Sequence, residues 1–410
     1  MDPDATRAAW TASLKASPVL CHLADAALGR LIDDGRLRRF AAGAELIRID
    51  TLTSAVFLIV DGACDVERAD GTFRLAAPAL AGEIAALTGT PRTATVRAVG
   101  EVQALVIERD RFLDAIRTSP AAGQALTELV ADRLCAPDSI RQVGRFPVEG
   151  IIGKGASGRV LRARHPLLDI PLALKMLSHA LALLPGGPET FIREASLLVH
   201  LDHPGIVRVL DAFEAHRTFF IVMPWIEGAT IRERLDRDAA FTPDDIRRLA
   251  AEALDALVAL HAAGLVHRDI KPSNLFLRSS GSLLLIDFGI ACESEERSGQ
   301  RESGQRQFIG SPFYSSPEQI LGRPVDGRSD VYSLGCTLYE LVFGRPPFQG
   351  DQIQQVVEGH LHGTPAFDAA ARVSMGEPFL RWLQRCLSRT RGQRPDATSA
   401  LTGLRRLSVS

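Results

Sequence analysis

His267-Arg268-Asp269-Ile270-Lys271-Pro272-Ser273-Asn274, with Asp287-Phe288-Gly289 thirteen residues after Asn274, is the stretch that decides how this chain reads. One carboxylate can orient a hydroxyl nucleophile. An amide oxygen and a second carboxylate can hold metal ions. Phosphoryl transfer needs this kind of set, because its catalysis is positioning and charge neutralisation rather than covalent chemistry. The alternative, a turn that happens to be rich in polar residues, leaves the joint spacing unexplained.

The rest of the chain sets bounds. Its 410 residues predict two or three domains, and 46% hydrophobic residues are enough for sizeable cores. A net charge of −2 gives no reason to expect a nucleic-acid partner. The N-terminus carries no basic region followed by an apolar run, and no run of about 18 apolar residues predicts a membrane span. The six cysteines, Cys21, Cys64, Cys135, Cys292, Cys336 and Cys386, lack pairing or metal spacing. They read as reduced, mostly buried thiols of a cytoplasmic protein.

Two textures divide the chain. From Val56 to Ile107 short apolar runs alternate with turn residues, which predicts a small β-barrel or sandwich. Helical patterns flank it at Asp25 to Asp34 and Arg109 to Cys135. Residues 1–135 read as one domain, 136–145 as a linker and 146–410 as a second domain. In that second part strand signals around Ile151, Ala173 and Phe220 precede a long helix at Ile246 to Ala263, the order of an α+β domain with segregated lobes.

Gly153-Lys154-Gly155-Ala156-Ser157-Gly158-Arg159-Val160 would let backbone N–H groups approach phosphates without a Cβ clash. The pattern alone also opens dinucleotide folds, but those want a helix next; here Leu172-Ala173-Leu174-Lys175 arrives on a strand signal. A lone Lys175 or Glu194 would be a solvated surface charge.

Together these residues resemble the Ser/Thr protein kinases, most closely the bacterial ones of eukaryotic-like type, over Phe146 to Leu407. The resemblance implies a bilobal fold that transfers the ATP γ-phosphate to protein Ser/Thr hydroxyls with Mg²⁺, for which Mn²⁺ can substitute. It implies that Asp269 orients the substrate hydroxyl and accepts its proton, and that Lys271 neutralises the transferring group. Asn274 and Asp287 would hold metal, and Lys175 would contact ATP and pair with Glu194. Gly153, Gly155, Gly158, Val160, Ala173 and the hinge residues Met223, Pro224 and Ile226 would line the ATP site. Pro224 stands where Glu is common, and loses a donor but keeps its carbonyl. Glu318, in Ser316-Pro317-Glu318, would pair with Arg394, and Asp330 would brace the catalytic loop. Arg268 implies control by activation-loop phosphorylation, with Ser294, Ser298 and above all Ser303 as acceptors. Ser311 stands where a Thr usually closes the catalytic network.

The first domain carries Ala81-Gly82-Glu83-Ile84-Ala85-Ala86-Leu87 and Pro91-Arg92-Thr93-Ala94-Thr95-Val96. Arg92 can pair bidentately with a phosphate diester, and Glu83 can accept from a ribose hydroxyl. The spacing resembles the phosphate-binding cassette of cyclic-nucleotide-binding domains, over Val19 to Leu134. That implies a β-roll with flanking helices, and cAMP or cGMP bound by Gly82, Glu83, Arg92 and Thr93. Phe112, Leu129 or Leu134 would form the lid. Ala81 replaces the family's usual Phe. The expectation is a kinase regulated by a cyclic nucleotide. Two alternatives stay open: a non-catalytic nucleotide-sensing scaffold, and an active kinase whose first domain is a ligand-free docking or dimerisation module.

Overall fold

A computed structural model describes residues 10–12, 14–68, 71–88, 91–135, 141–155, 158–184, 186–237, 240–287, 312–368 and 373–407. The chain forms two compact units. One is Met1–Glu189 with Asp211–Pro224, the other Thr190–Leu210 with Trp225–Ser410.

The first unit begins with helix α1 (Asp25–Asp34) and eight short strands: β1 (Arg36–Phe40), β2 (Glu45–Ile47), β3 (Val56–Asp61), β4 (Ala63–Arg68), β5 (Gly71–Ala76), β6 (Ala79–Ala81), β7 (Thr95–Ala98) and β8 (Val102–Ile107). They form two four-stranded sheets, ordered β1-β8-β3-β6 and β2-β7-β4-β5. β3 is buried on both faces, and its alternation divides two cores. Phe57 and Ile59 point into the roll with Phe40, Val66 and Val96. Val56, Leu58 and Val60 point outward into a second core shared with the helices. α2 (Glu83–Thr88) interrupts the strands after β6. α3 (Arg109–Arg117) and α4 (Pro120–Cys135) follow β8.

The second core does not stop at the roll. Phe112, Ile116, Leu126, Val130 and Leu134 of α3 and α4 lie in one cluster with Val148, Leu161, Leu174, Met176 and Phe220. Those residues belong to a six-stranded antiparallel sheet ordered β13-β14-β12-β11-β10-β9. Its strands are β9 (Gln142–Val143), β10 (Phe146–Gly155), β11 (Gly158–Arg164), β12 (Pro171–Leu177), β13 (Asp211–Ala215) and β14 (Thr218–Pro224). Residues 142–143, inside the stretch read as a linker, pair with Pro147 and Phe146. Burying Val143 draws that segment into the sheet. Leu172, Leu174 and Met176 of β12 face the helices, so strand alternation puts Ala173 and Lys175 on the opposite face.

After β12 come α5 (His179–Ala182) and α6 (Gly187–Val199). The second unit then runs through β15 (Gly228–Thr230), α7 (Ile231–Leu235), α8 (Pro243–Ala262), β16 (Leu275–Arg278), β17 (Leu283–Leu285), α9 (Pro317–Ile320), α10 (Gly327–Phe343), α11 (Ile353–His362), α12 (Glu377–Cys386) and α13 (Ala397–Leu407). Thr242 caps α8 reciprocally with Asp245, and Pro243 supplies the first-turn residue. α10 is buried from Ser329 to Leu341, which makes it the central helix. α8 and α12 pack against it. Among the described residues no helix is long and apolar enough to cross a membrane. The described cysteines are free thiols.

Candidate active site and effector pocket

The loop of residues 267–274 sits between α8 and β16, and its shape is set by α10. Asp330, fully buried on α10, accepts hydrogen bonds from the backbone N–H of His267 and of Arg268, both at 2.8 Å. The ring of His261 lies 2.8 Å from the same carboxylate. Gln319 donates to the Arg268 carbonyl at 2.8 Å. These bonds hold Arg268 at φ +66°, a conformation costly for a non-glycine residue. His267 Nε2 donates to the Ile286 carbonyl at 3.1 Å, which ties the loop to the segment entering Asp287.

The side chains that this frame presents converge. Asn274 Nδ2 donates to Asp269 Oδ2 at 2.9 Å and to the Asp269 carbonyl at 2.8 Å. Lys271 Nζ lies 2.7 Å from the same Oδ2. Asn274 Nδ2 also reaches the Asp287 carbonyl at 3.5 Å. Asp287 itself has φ +59°. The structure therefore brings Asp269, Lys271, Asn274 and Asp287 into one cluster. With Nδ2 turned to Asp269, Asn274 keeps Oδ1 as an oxygen donor. Beneath the cluster, Arg394 makes a bidentate pair with Glu318 at 2.7 and 3.1 Å and rests 4.8 Å from the Tyr332 ring centroid. Burial acts to raise the Glu318 carboxyl, but Arg394 and Ser329 outweigh it and hold it below the usual range.

On the first unit, Gly155 pairs with Gly158 and closes the β10–β11 hairpin. A Cβ on Gly158 would meet the Met176 carbonyl. Gly153 stands opposite Val160, and Val160 is in register with Lys175. Ala173 is in register with Met223, and Leu172 with Pro224. Val160, Ala173 and Lys175 thus share the face turned away from α4. Lys175 is buried. The boundary between the two units falls after Pro224, so Ile226 belongs to the second. Glu194 lies on α6, but its side chain is outside the described part, as are Phe288, Gly289, Ser294, Ser298, Ser303 and Ser311.

In the roll, Gly82 at φ +83° turns the chain from β6 into α2, and a Cβ there would collide with the Arg92 guanidinium. Arg92 is 2% exposed. It donates to Thr53 Oγ1 at 2.8 Å, the Gly82 carbonyl at 2.7 Å and the Ala55 carbonyl at 2.5 Å. Burial lowers its pKa, against the pull of Glu83. Glu83 is fully buried and ion-paired with Arg133 of α4. No hydrogen-bond partner of its carboxylate oxygens stands among the described residues. Thr93 is exposed. Phe112 and Leu134 lie in the core behind the roll, with Leu129 packed against that core.

Residues 146–403 match the protein kinase domain model. The chain belongs to the protein kinase family. Residues 37–119 of this kinase match the cyclic nucleotide-binding domain model. Its relatives include the serine/threonine-protein kinase PkaA of Streptomyces coelicolor, 36% identical over 65% of this chain and 50% of that protein. PknB of Mycolicibacterium smegmatis is 34% identical over 65% of this chain and 46% of its own length. PknB of Mycobacterium tuberculosis is 38% identical over 54% and 36%. The kinase spans half or less of the length of these curated relatives.

Three participants escaped the sequence reading. Arg133, Thr53 and the Ala55 carbonyl hold Glu83 and Arg92, yet none stands in a recognisable motif. Arg133 lies 50 residues from Glu83, on a helix whose apolar positions drew attention instead. Helical spacing from Leu129 to Arg133 was the only available signal.

Proposed function

We propose that this chain is a Ser/Thr protein kinase that transfers the ATP γ-phosphoryl group to protein hydroxyls, and that a cyclic nucleotide taken up by its first domain regulates it. The observation that carries the first part is the convergence of Asn274 and Lys271 on one oxygen of Asp269. Both contacts fall on Oδ2, which leaves Oδ1 to orient a substrate hydroxyl and accept its proton. Lys271, beside that carboxylate, would offset charge on the transferring group.

The donors fit Mg²⁺. The Asn274 amide oxygen and the Asp287 carboxylate are hard oxygen ligands, and the described residues hold no cluster of three or more acidic, His or Cys ligands. A cation that shares its coordination between one carboxylate and substrate phosphates needs no all-protein cage. When bound, it would neutralise the phosphate oxygens.

The second part rests on Arg92 and Glu83. Both are buried, and both would exchange protein partners for ligand atoms. Arg92 would turn from carbonyls to a phosphate diester, and Glu83 from Arg133 to a ribose hydroxyl. Ligand binding must therefore release α4 from Glu83, and it shifts the equilibrium only by its differential affinity. The domain limits 1–135 and 146–410 belong to this reading. So does phosphate capture at Arg268 from Ser303.

The test is phosphate transfer from labelled ATP to a generic Ser/Thr acceptor with Mg²⁺, while cAMP and cGMP are titrated. Asp269→Asn should lower kcat about 10³-fold with ATP binding little changed. Near-parental turnover in that variant would exclude Asp269 as the base. A rate indifferent to both nucleotides would reduce the first domain to a docking element.

A further inference from the structure

The effector domain's last helix does more than border the roll: it holds the glycine-rich hairpin. Arg159 follows Gly158 and is only 4% exposed. Its Nη1 donates to the carbonyls of both Gly155 and Gly158, at 3.2 and 3.0 Å. One guanidinium nitrogen thus ties together the two glycines that flank the tip. Its other terminal nitrogen, Nη2, is paired with Glu128 of α4. One turn earlier on α4, Gln124 donates to the same Gly155 carbonyl at 3.4 Å.

Two further contacts fix where α4 lies. A Cβ on Gly123 would come within 2.6 Å of the Ala180 Cα, so helix and α5 touch backbone to backbone. Thr127 Oγ1 accepts from the His179 N–H at 2.8 Å and lies 3.0 Å from its Nδ1. His179 Nε2 faces the His216 carbonyl at 2.9 Å and must donate to it. In the neutral ring Nδ1 is then an acceptor, so the single Thr127 hydroxyl proton is shared between Nδ1 and the Gly123 carbonyl 2.9 Å away. A helix of the first domain is thereby fastened twice at the end of the strand pair where β11 begins and β12 stops, the pair that carries Val160 and Lys175.

We propose that Glu128, through Arg159, is a positioning residue for the ATP site, so that the first domain is a built-in part of the kinase's nucleotide cradle. Hairpin carbonyls drawn together by Arg159 leave the glycine N–H groups directed at phosphate. Without Glu128 the guanidinium loses its anchor, and the hairpin occupies its binding-competent form for a smaller fraction of the time. ATP affinity falls by that fraction. The inference rests on the kinase reading above, but its readout is binding rather than turnover.

The full-length chain is compared with Glu128→Gln, Glu128→Asp and Arg159→Met, with thermal denaturation to confirm folding. Calorimetric titration with a non-hydrolysable ATP analogue should show Glu128→Gln weakened about fivefold or more, and Glu128→Asp weakened less. KM for ATP should rise in parallel while kcat stays within about twofold. The double variant should bind no more weakly than Arg159→Met alone, because the two residues act as one unit. Gln124→Ala gives a milder change and serves if Glu128→Gln fails to fold. Folded variants with parental analogue affinity would overturn the proposal, as would a loss confined to kcat. A parent that binds the analogue but transfers no phosphate would defeat the kinase reading and leave the positioning test intact. A parent that binds no analogue would defeat both.

Discussion

The Glu318–Arg394 and Glu83–Arg133 pairs both bury their glutamate, and they are built differently. Glu318 and Arg394 meet in a bidentate pair in the second unit, with Arg394 side chain at 0% exposure. Ser329 donates to Glu318 as well. The remaining Arg394 N–H groups go to the carbonyls of Ser388, Arg328 and Arg389. Glu83 and Arg133 meet in the first unit through one contact, with Arg133 31% exposed and the Glu83 oxygens lacking hydrogen-bond partners among the described residues. A buried ion pair offsets its desolvation only when the other lone pairs and protons are also satisfied. The first pair meets that condition and is a permanent lock. The second does not, so a ligand hydroxyl that completes the bonding of Glu83 can compete with Arg133.

The contrast can be broken by substitution. Glu318→Gln leaves a buried guanidinium without its counter-ion and should cost about 3 kcal/mol of stability, read by chemical denaturation. A loss under about 1 kcal/mol would mean that the carbonyl acceptors alone suffice, and that the lock is not the ion pair. Because the folded Glu318 carboxyl is held low, its contribution is full above the ordinary Glu value of 4.5 and fades as pH falls further.

Between those extremes lies a neutral polar contact, Thr127 with His179. Burial pushes His179 down from 6.5 to about 4. Between these values the unfolded chain binds a proton that the folded chain does not, so stability drops as pH falls through that window. Going from pH 7 to 5 should cost about 2 kcal/mol, and His179→Gln should flatten the curve by that amount. Burial lowers His216 and His360 in the same direction, so the difference between parent and variant is the measurement. Superimposable curves would mean that His179 is not held neutral by α4.

The last substitution sharpens the second pair. Arg133→Met takes the cation from the fully buried Glu83 and should cost about 1.5 kcal/mol, less than Glu318→Gln because Arg92 still acts on Glu83. It should tighten cyclic-nucleotide binding about tenfold, because the ligand no longer displaces a cation. Weaker binding in a folded variant would show that Arg133 holds the ligand instead of competing with it.

The convergence of side chains in the loop of residues 267–274 was legible because it is local. Asp269, Lys271 and Asn274 fall within six residues of one another, so their grouping shows in the sequence before any folding. The long helix read at Ile246 to Ala263 and the strands read between Val56 and Ile107 were equally visible, since each repeats its apolar residues with a period of its own. The partners of Arg92 were not visible. Two of the three are backbone carbonyls, and every residue has one of those.

What the sequence determined by itself was the family, the two textures and the residues that carry charge to each site, because these depend on side-chain chemistry at short spacing. What only the tertiary structure decided was who satisfies whom. Arg133 closes on Glu83 across 50 residues, Glu128 on Arg159 across 31, and Arg394 on Glu318 across 76. The region read as a linker leads into a strand of the sheet, and one apolar core runs from the roll helices into the six-stranded sheet. Burial creates the demand for partners, and only the packed arrangement of helices and sheets determines which charges are near enough to meet it.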